Sequence, residues 1–156
     1  MADICAGCGA KIEGGLEGCQ NLFATLLARE YTDFAYAKMN SFTVDAHALQ
    51  HPEVHGVKNI AHLIRLCWLI EHNGNPHIGM HGPPWFVKHL DGDYRPPPLE
   101  IPKNRGAITV VEVAQAQTSE AYEKLARAWG RSAWDAFALH HHWARSELRQ
   151  ILGDGR

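Results

Sequence analysis

Three cysteines near the start of the chain, Cys5, Cys8 and Cys19, are the residues best suited to chemistry. In Cys5-Ala6-Gly7-Cys8-Gly9 the glycine after the second cysteine suits a tight turn whose backbone amides point at the sulfurs, as in a zinc knuckle. Structural zinc takes four ligands in a closed tetrahedron, so three thiolates need a further donor from elsewhere in the chain. If a helix opens at Cys19 and the next one returns antiparallel, the far end of that second helix, His47 to His51, comes back beside Cys19. His51 is therefore the predicted fourth ligand, and His47, one turn earlier, the runner-up. A set of free thiols is the plain alternative. A redox C-x-x-C normally lies between a strand and a helix, and no βαβ pattern is present. An iron–sulfur cluster stays open. Cys67, inside an apolar stretch, reads as a small core residue.

A second group of residues could do acid–base work. At about 100° per residue, Asp45 shares a stripe with Phe34, Ser41 and Ala48, where a carboxylate needs a partner. His62 lies on the side of Leu66 and Leu69. His140 continues the stripe of Tyr122, Ala126, Trp129, Ala133 and Ala136, with His141 at its flank and His142 turned to solvent. Inward Asp and His on facing helices are how bundles build metal or proton-transfer sites. Asp45, His62, His140 and His141 are thus the candidate catalytic residues, and they could hold a second metal. The competing reading is a buried Asp–His hydrogen bond that satisfies both groups and fixes helix register. His55, His72, His77, His81 and His89 fall in loops or at helix ends and read as surface residues, although His77, His81 and His89 could close over a site. No serine nucleophile elbow, P-loop, dinucleotide-binding glycine pattern or H-E-x-x-H is found.

The elements that must position these groups are helical throughout. Leu22, Phe23, Leu26, Leu27 and Tyr31 recur at helical spacing and predict a first helix from Gln20 to Tyr31. Asp33 is a predicted N-cap for a second helix, Phe34 to about Gln50, ended by His51-Pro52 because the residue before proline avoids the helical region. A third helix runs from Val57 to about His72, apolar on nearly every side. Residues 75–106 form a Pro-rich irregular crossover with one short helix from Pro84 to His89. Thr109 and Glu112 make a capping box for a short helix through about Gln117. Ser119 opens a last helix that reaches about Ile151 without ending at Gly130. Trp129, Trp134, Phe137 and Trp143 read as packing material. The predicted architecture is one all-α domain over 1–156: a cysteine knuckle (1–19), a helical bundle (20–74 and 107–152) and the irregular Pro-rich segment between.

Composition agrees. The 156 residues are 46% hydrophobic and 21% charged, ordinary for a globular chain that buries a core without staples. A net charge of −2 with no basic cluster excludes the footprint of a nucleic-acid binder. The longest apolar stretch, Ile60 to Ile70, is interrupted by His62 and Arg65, too short for a membrane span. The first residues lack a secretory signal, so a cytoplasmic protein with reduced thiols is expected.

Cys5-Ala6-Gly7-Cys8-Gly9, Gly18-Cys19, Leu27 to Tyr31, Thr43-Val44-Asp45-Ala46, Gln50-His51-Pro52 and His140-His141 together resemble a bacterial family of uncharacterised helical proteins, catalogued as a domain of unknown function. The resemblance spans nearly the whole chain. The family usually carries a proline where this chain has Ala6, a His-x-Tyr element before the third cysteine, and an aromatic where this chain has Gln20. The missing histidine between Cys8 and Cys19 favours a ligand from helix two. The resemblance implies a bacterial, cytoplasmic protein, places Asp45, His51 and the late histidines at motif positions, and carries no reaction. Function then has three readings: a zinc metalloenzyme acting on a small molecule through the buried Asp/His site; a non-enzymatic, zinc-stabilised module for a protein partner; and a thiol redox sensor.

Overall fold

The computed structural model describes residues 3–77 and 83–154, with backbone only at 55, 57, 58 and 154. A two-residue antiparallel hairpin, β1 (Asp3–Ile4) and β2 (Lys11–Ile12), carries the first two cysteines on its turn. The predicted first helix is longer at its front. As α1 (Gly15–Thr32) it encloses Cys19 in its second turn, because Gly14, at φ 86°, lets the chain turn directly from the hairpin into the helix.

The predicted second helix is split into α2 (Phe34–Ala37) and α3 (Asn40–Gln50). Asp33 caps α2 as expected, accepting from Ala35 N at 3.0 Å. The corner at Lys38-Met39 lets Tyr36 pack on Tyr122 while Asn40 and Thr43 turn toward Glu30. Periodicity alone does not contain that polar tie. Contacts along α1 and α3 run in opposite order, Cys19 to His51, Phe23 to His47 and Glu30 to Thr43, so the predicted antiparallel return holds.

The chain then makes a one-turn helix, α4 (Pro52–His55), and a 3-10 stretch, Val57–Ala61, before α5 (His62–Glu71). The predicted third helix is thus regular only in its second half, since Gly56, at φ 83°, is followed by the tighter 3-10 turns. Buried Asn59 donates to Ala48 O and fastens this bend to α3. After the short α6 (Pro84–Asp91) and an extended Pro-rich strap come α7 (Val110–Ala114), with the predicted Thr109–Glu112 capping box, and α8 (Ser119–Ala136).

The last predicted helix breaks at Phe137. A 3-10 turn, Ala138–His140, separates α8 from α9 (His141–Asp154), while Gly130 is passed without interruption, as expected. The Trp134 carbonyl accepts from Phe137 N and from His141 Nε2, which draws the chain into the tighter turn. A 3-10 turn advances about 120° per residue rather than 100°, so a projection carried through it misplaces the residues beyond. Helices α3, α5, α8 and α9 enclose the core, with Met39, Leu49, Leu63, Leu66, Trp129 and Phe137 fully buried. Cys67 is buried in it, as read.

Glu30 is buried, accepts from Thr43 Oγ1 at 2.8 and 2.9 Å, and is pushed up from 4.5 to about 7 by its burial. Between those two values the folded state keeps a proton that the unfolded state has lost, so stability falls as pH rises, by roughly 3 kcal/mol in all. The fall is complete near pH 7. Urea unfolding of chelator-treated protein at pH 4.5 and 7.5 should show it free of the pH dependence of metal binding, and Glu30→Gln should remove most of the slope; a chelated protein whose stability is level across this window would refute the assignment.

Candidate metal centre

Four donor atoms meet where the hairpin turn, α1 and the end of α3 converge. Cys5 Sγ, Cys8 Sγ, Cys19 Sγ and one nitrogen of His51 all lie within 4.8 Å of one another. Cys5 Sγ is 3.5 Å and Cys19 Sγ 3.4 Å from His51 Nε2, and Cys8 Sγ is 3.8 Å from Cys19 Sγ. The set could hold a metal ion. Cys5, Cys19 and His51 are buried and Cys8 is half-buried.

Local chemistry prepares each donor. Gly9, at φ 79°, closes the knuckle turn with its amide on Cys5 O at 2.9 Å, a backbone shape glycine adopts without strain. Gly7 must also be glycine: a Cβ there would stand 2.5 Å from His51 Cδ2 and 2.9 Å from Gln50 O. His51 Nδ1 donates to His47 O at 2.7 Å. A carbonyl only accepts, so the proton sits on Nδ1 and the lone pair of Nε2 faces the sulfurs, the orientation that ligating histidines use. His47, the runner-up ligand, has a different place. Its ring stacks between Phe23 at 3.7 Å and His51 at 4.0 Å and so fixes the plane of the ligand from behind.

The cluster's electrostatics ask for a cation. The hydrogen bond with Cys19 holds the Cys8 thiol far below its usual value, at about 4. The same bond, together with burial, pushes Cys19 far upward. Thiolates this close repel one another, and only a bound cation lets all three lose their protons.

Arg105, in the Pro-rich strap, clamps the site from outside. Its Nη1 donates to Gly7 O at 3.0 Å and Gln50 O at 3.1 Å, while its two terminal nitrogens grip the Glu53 carboxylate at 3.1 and 2.7 Å. One guanidinium thus joins the knuckle turn to the end of α3. Gln50 extends the tie by donating to Arg105 O and Ile108 O and accepting from Trp129 Nε1 at 2.9 Å. Sequence reasoning passed over Arg105, because nothing in a lone arginine of an irregular segment shows where its fork will land, and it placed Gln50 only as a helix end and motif residue.

The candidate catalytic residues are only partly brought together. Asp45 is fully buried and His62 donates from Nδ1 to its Oδ1 at 2.6 Å, so that predicted pair forms. The main partner is Arg65, whose Nε and Nη2 reach both carboxylate oxygens at 2.7 to 3.0 Å. Sequence reasoning missed it, although Arg65 follows His62 by three residues on one helix face. His140 is buried as projected but donates from Nε2 to Glu100 O at 2.6 Å, tying down the strap. His141 stacks on Trp134 at 3.7 Å and donates to the Trp134 carbonyl. The 3-10 turn before α9 commits both histidines to backbone carbonyls elsewhere, away from the Asp45 hydrogen bonds. Among the described residues the cysteine–histidine set is the one group whose donors converge on a common point. His77 and His142 are exposed, as expected of the former and projected for the latter, and His89 packs on Tyr94; His81 and the His55 side chain lie outside the described residues.

A family model described as a family of unknown function, DUF5946, matches residues 3–138. The chain belongs to this family. The DUF5946 match begins just before Cys5 and takes in all four converging donors, Asp45, His62 and Arg105, but stops short of His140 and His141. No curated protein and no solved structure matches the chain. Among the described residues no helix of this DUF5946 member is long and apolar enough to cross a membrane.

Proposed function

We propose that Cys5, Cys8, Cys19 and His51 hold one zinc ion as a structural centre that fastens the N-terminal hairpin and the Arg105 strap to α1 and α3. The observation that carries this reading is the set of donor separations. With Zn–S of about 2.3 Å and Zn–N of about 2.0–2.1 Å, a regular tetrahedron has S···S edges of about 3.8 Å and S···N edges of about 3.5 Å. Three of the six edges match, Cys8 to Cys19 at 3.8 Å and His51 Nε2 to Cys19 and Cys5 at 3.4 and 3.5 Å, and all four donors lie within 4.8 Å of one another. An iron–sulfur cluster fits less well, because it receives its ligands on different irons and spreads them wider than these atoms stand. Three thiolates and an imidazole are also the soft and borderline donors that select zinc over magnesium or calcium.

Four protein ligands leave no open position, so the ion shapes the fold and takes no substrate. A second metal in the bundle would need His140 beside Asp45 and His62, and His140 is instead on Glu100 O, so any chemistry there falls to Asp45 and His62. Metal analysis of untagged protein tests the assignment. One zinc per chain is expected in the parent and in His140→Ala, and none in Cys5→Ser. Zinc retained at full stoichiometry by Cys5→Ser, or a parent purified with none and unable to bind it, would sink the reading.

A further inference from the structure

A cavity of about 460 Å³ opens beside the Asp45–His62–Arg65 cluster, between α1, α3, α5 and α6. Its walls include Leu27, Val44, Phe86 and Leu90, with His62, Asn40 and Asp91 among the polar groups. Phe86 is buried and packs edge-on against the His62 ring at 5.6 Å, so the imidazole is held on two sides, by Asp45 and by an aromatic. With Nδ1 committed to Asp45, Nε2 is the ring nitrogen left to meet a ligand. The side chain of His62 lines the cavity and is 16% exposed.

The charges of the wall have one sign left over. Arg65 spends Nε and Nη2 on Asp45 and Nη2 also on Ser41 O, and its guanidinium carbon sits over the Phe86 ring, 4.4 Å from the centroid. Its charge is balanced by the carboxylate it grips. Asn40 commits its amide nitrogen to the buried Glu30, which is not part of the wall, so its carbonyl oxygen is the atom left to accept. Asp91, exposed at the end of α6, adds a carboxylate to the rim. The cavity is thus apolar in its walls, supplied with acceptors, and negative in balance.

We propose that this cavity binds a small, largely apolar amine, its ammonium donating to His62 Nε2 under the field of Asp91. An anionic ligand meets carboxylates and an arginine already gripped by one. A neutral apolar ligand fills the walls but forgoes the acceptor. The site is separate from the zinc centre, so it stands or falls by its own measurement.

Isotope-labelled, zinc-loaded protein titrated with benzylamine hydrochloride, benzyl alcohol or sodium benzoate, followed by amide resonances, provides it. Saturable shifts confined to Asn40, Val44, His62 and Val87 are expected with benzylammonium, weaker ones with the alcohol and none with benzoate. His62→Leu should weaken benzylammonium binding at least tenfold. Asp91→Asn, a surface change that leaves the core untouched, should weaken it severalfold and leave benzyl alcohol unaffected. Benzoate binding as well as the ammonium, shifts that do not saturate, or benzylammonium binding unchanged in Asp91→Asn would each overturn the proposal.

Discussion

If the four donors hold an ion as proposed, stripping it with a chelator is expected to lower Tm by roughly 8–16 °C. An ion that binds only the folded state stabilises it by about 4 kcal/mol when present at a thousand times its Kd. A domain of this size loses about 2–4 °C per kcal/mol. The chain has a full aromatic and aliphatic core away from the site, so it should lose its N-terminal attachment rather than unfold outright. The geometry sets the order of loosening. Without the cation the buried thiols must reprotonate, the knuckle turn drifts from His51, and Arg105 loses its carbonyl on Gly7. Cys19→Ser should reproduce the loss, and chelator should then cost that variant nothing further. Scanning calorimetry of parent and variant, each with and without chelator, checks all of this. A parent melting curve indifferent to chelator would show that the ion plays no structural part.

The site was more legible in the sequence than the fold around it. Cys5, Cys8 and Cys19 announce a thiolate set by spacing alone, and His51 came from one topological step, that a short link folds two helices antiparallel. The break at Lys38-Met39 did not affect that step, because the corner leaves the direction of return unchanged. The 3-10 turn at Ala138–His140 had the opposite effect. A projection of about 100° per residue accumulates error through a tighter turn. His140, though still buried, came out against the backbone of Glu100 instead of Asp45. Arg65 was hidden for another reason. In an apolar helix an arginine reads as an interruption, and only the packing of α5 on α3 turns it into the partner that the buried carboxylate required. Side chains that reach across the fold, such as Arg105, leave no periodic trace at all.

Asp45→Ala should cost about 3–5 kcal/mol, because it leaves the Arg65 guanidinium buried without its carboxylate. Arg65 is itself only 2% exposed in its side chain, so water cannot take over. Urea midpoints for Asp45→Ala, Arg65→Met and the pair Asp45→Leu/Arg65→Met form a cycle that separates two reasons for the cluster's existence. The double variant should recover most of the stability lost by either single one, since an apolar pair of similar volume avoids the cost of desolvating two charges. Stability alone then gives no reason to keep the ion pair. On the proposed reading the pair holds His62 in one tautomer at the cavity wall, and the double variant should then fold yet bind benzylammonium poorly. A cost below about 1 kcal/mol for Asp45→Ala would mean that Arg65 finds another acceptor, and the carboxylate would lose its place as the group that organises α3 against α5.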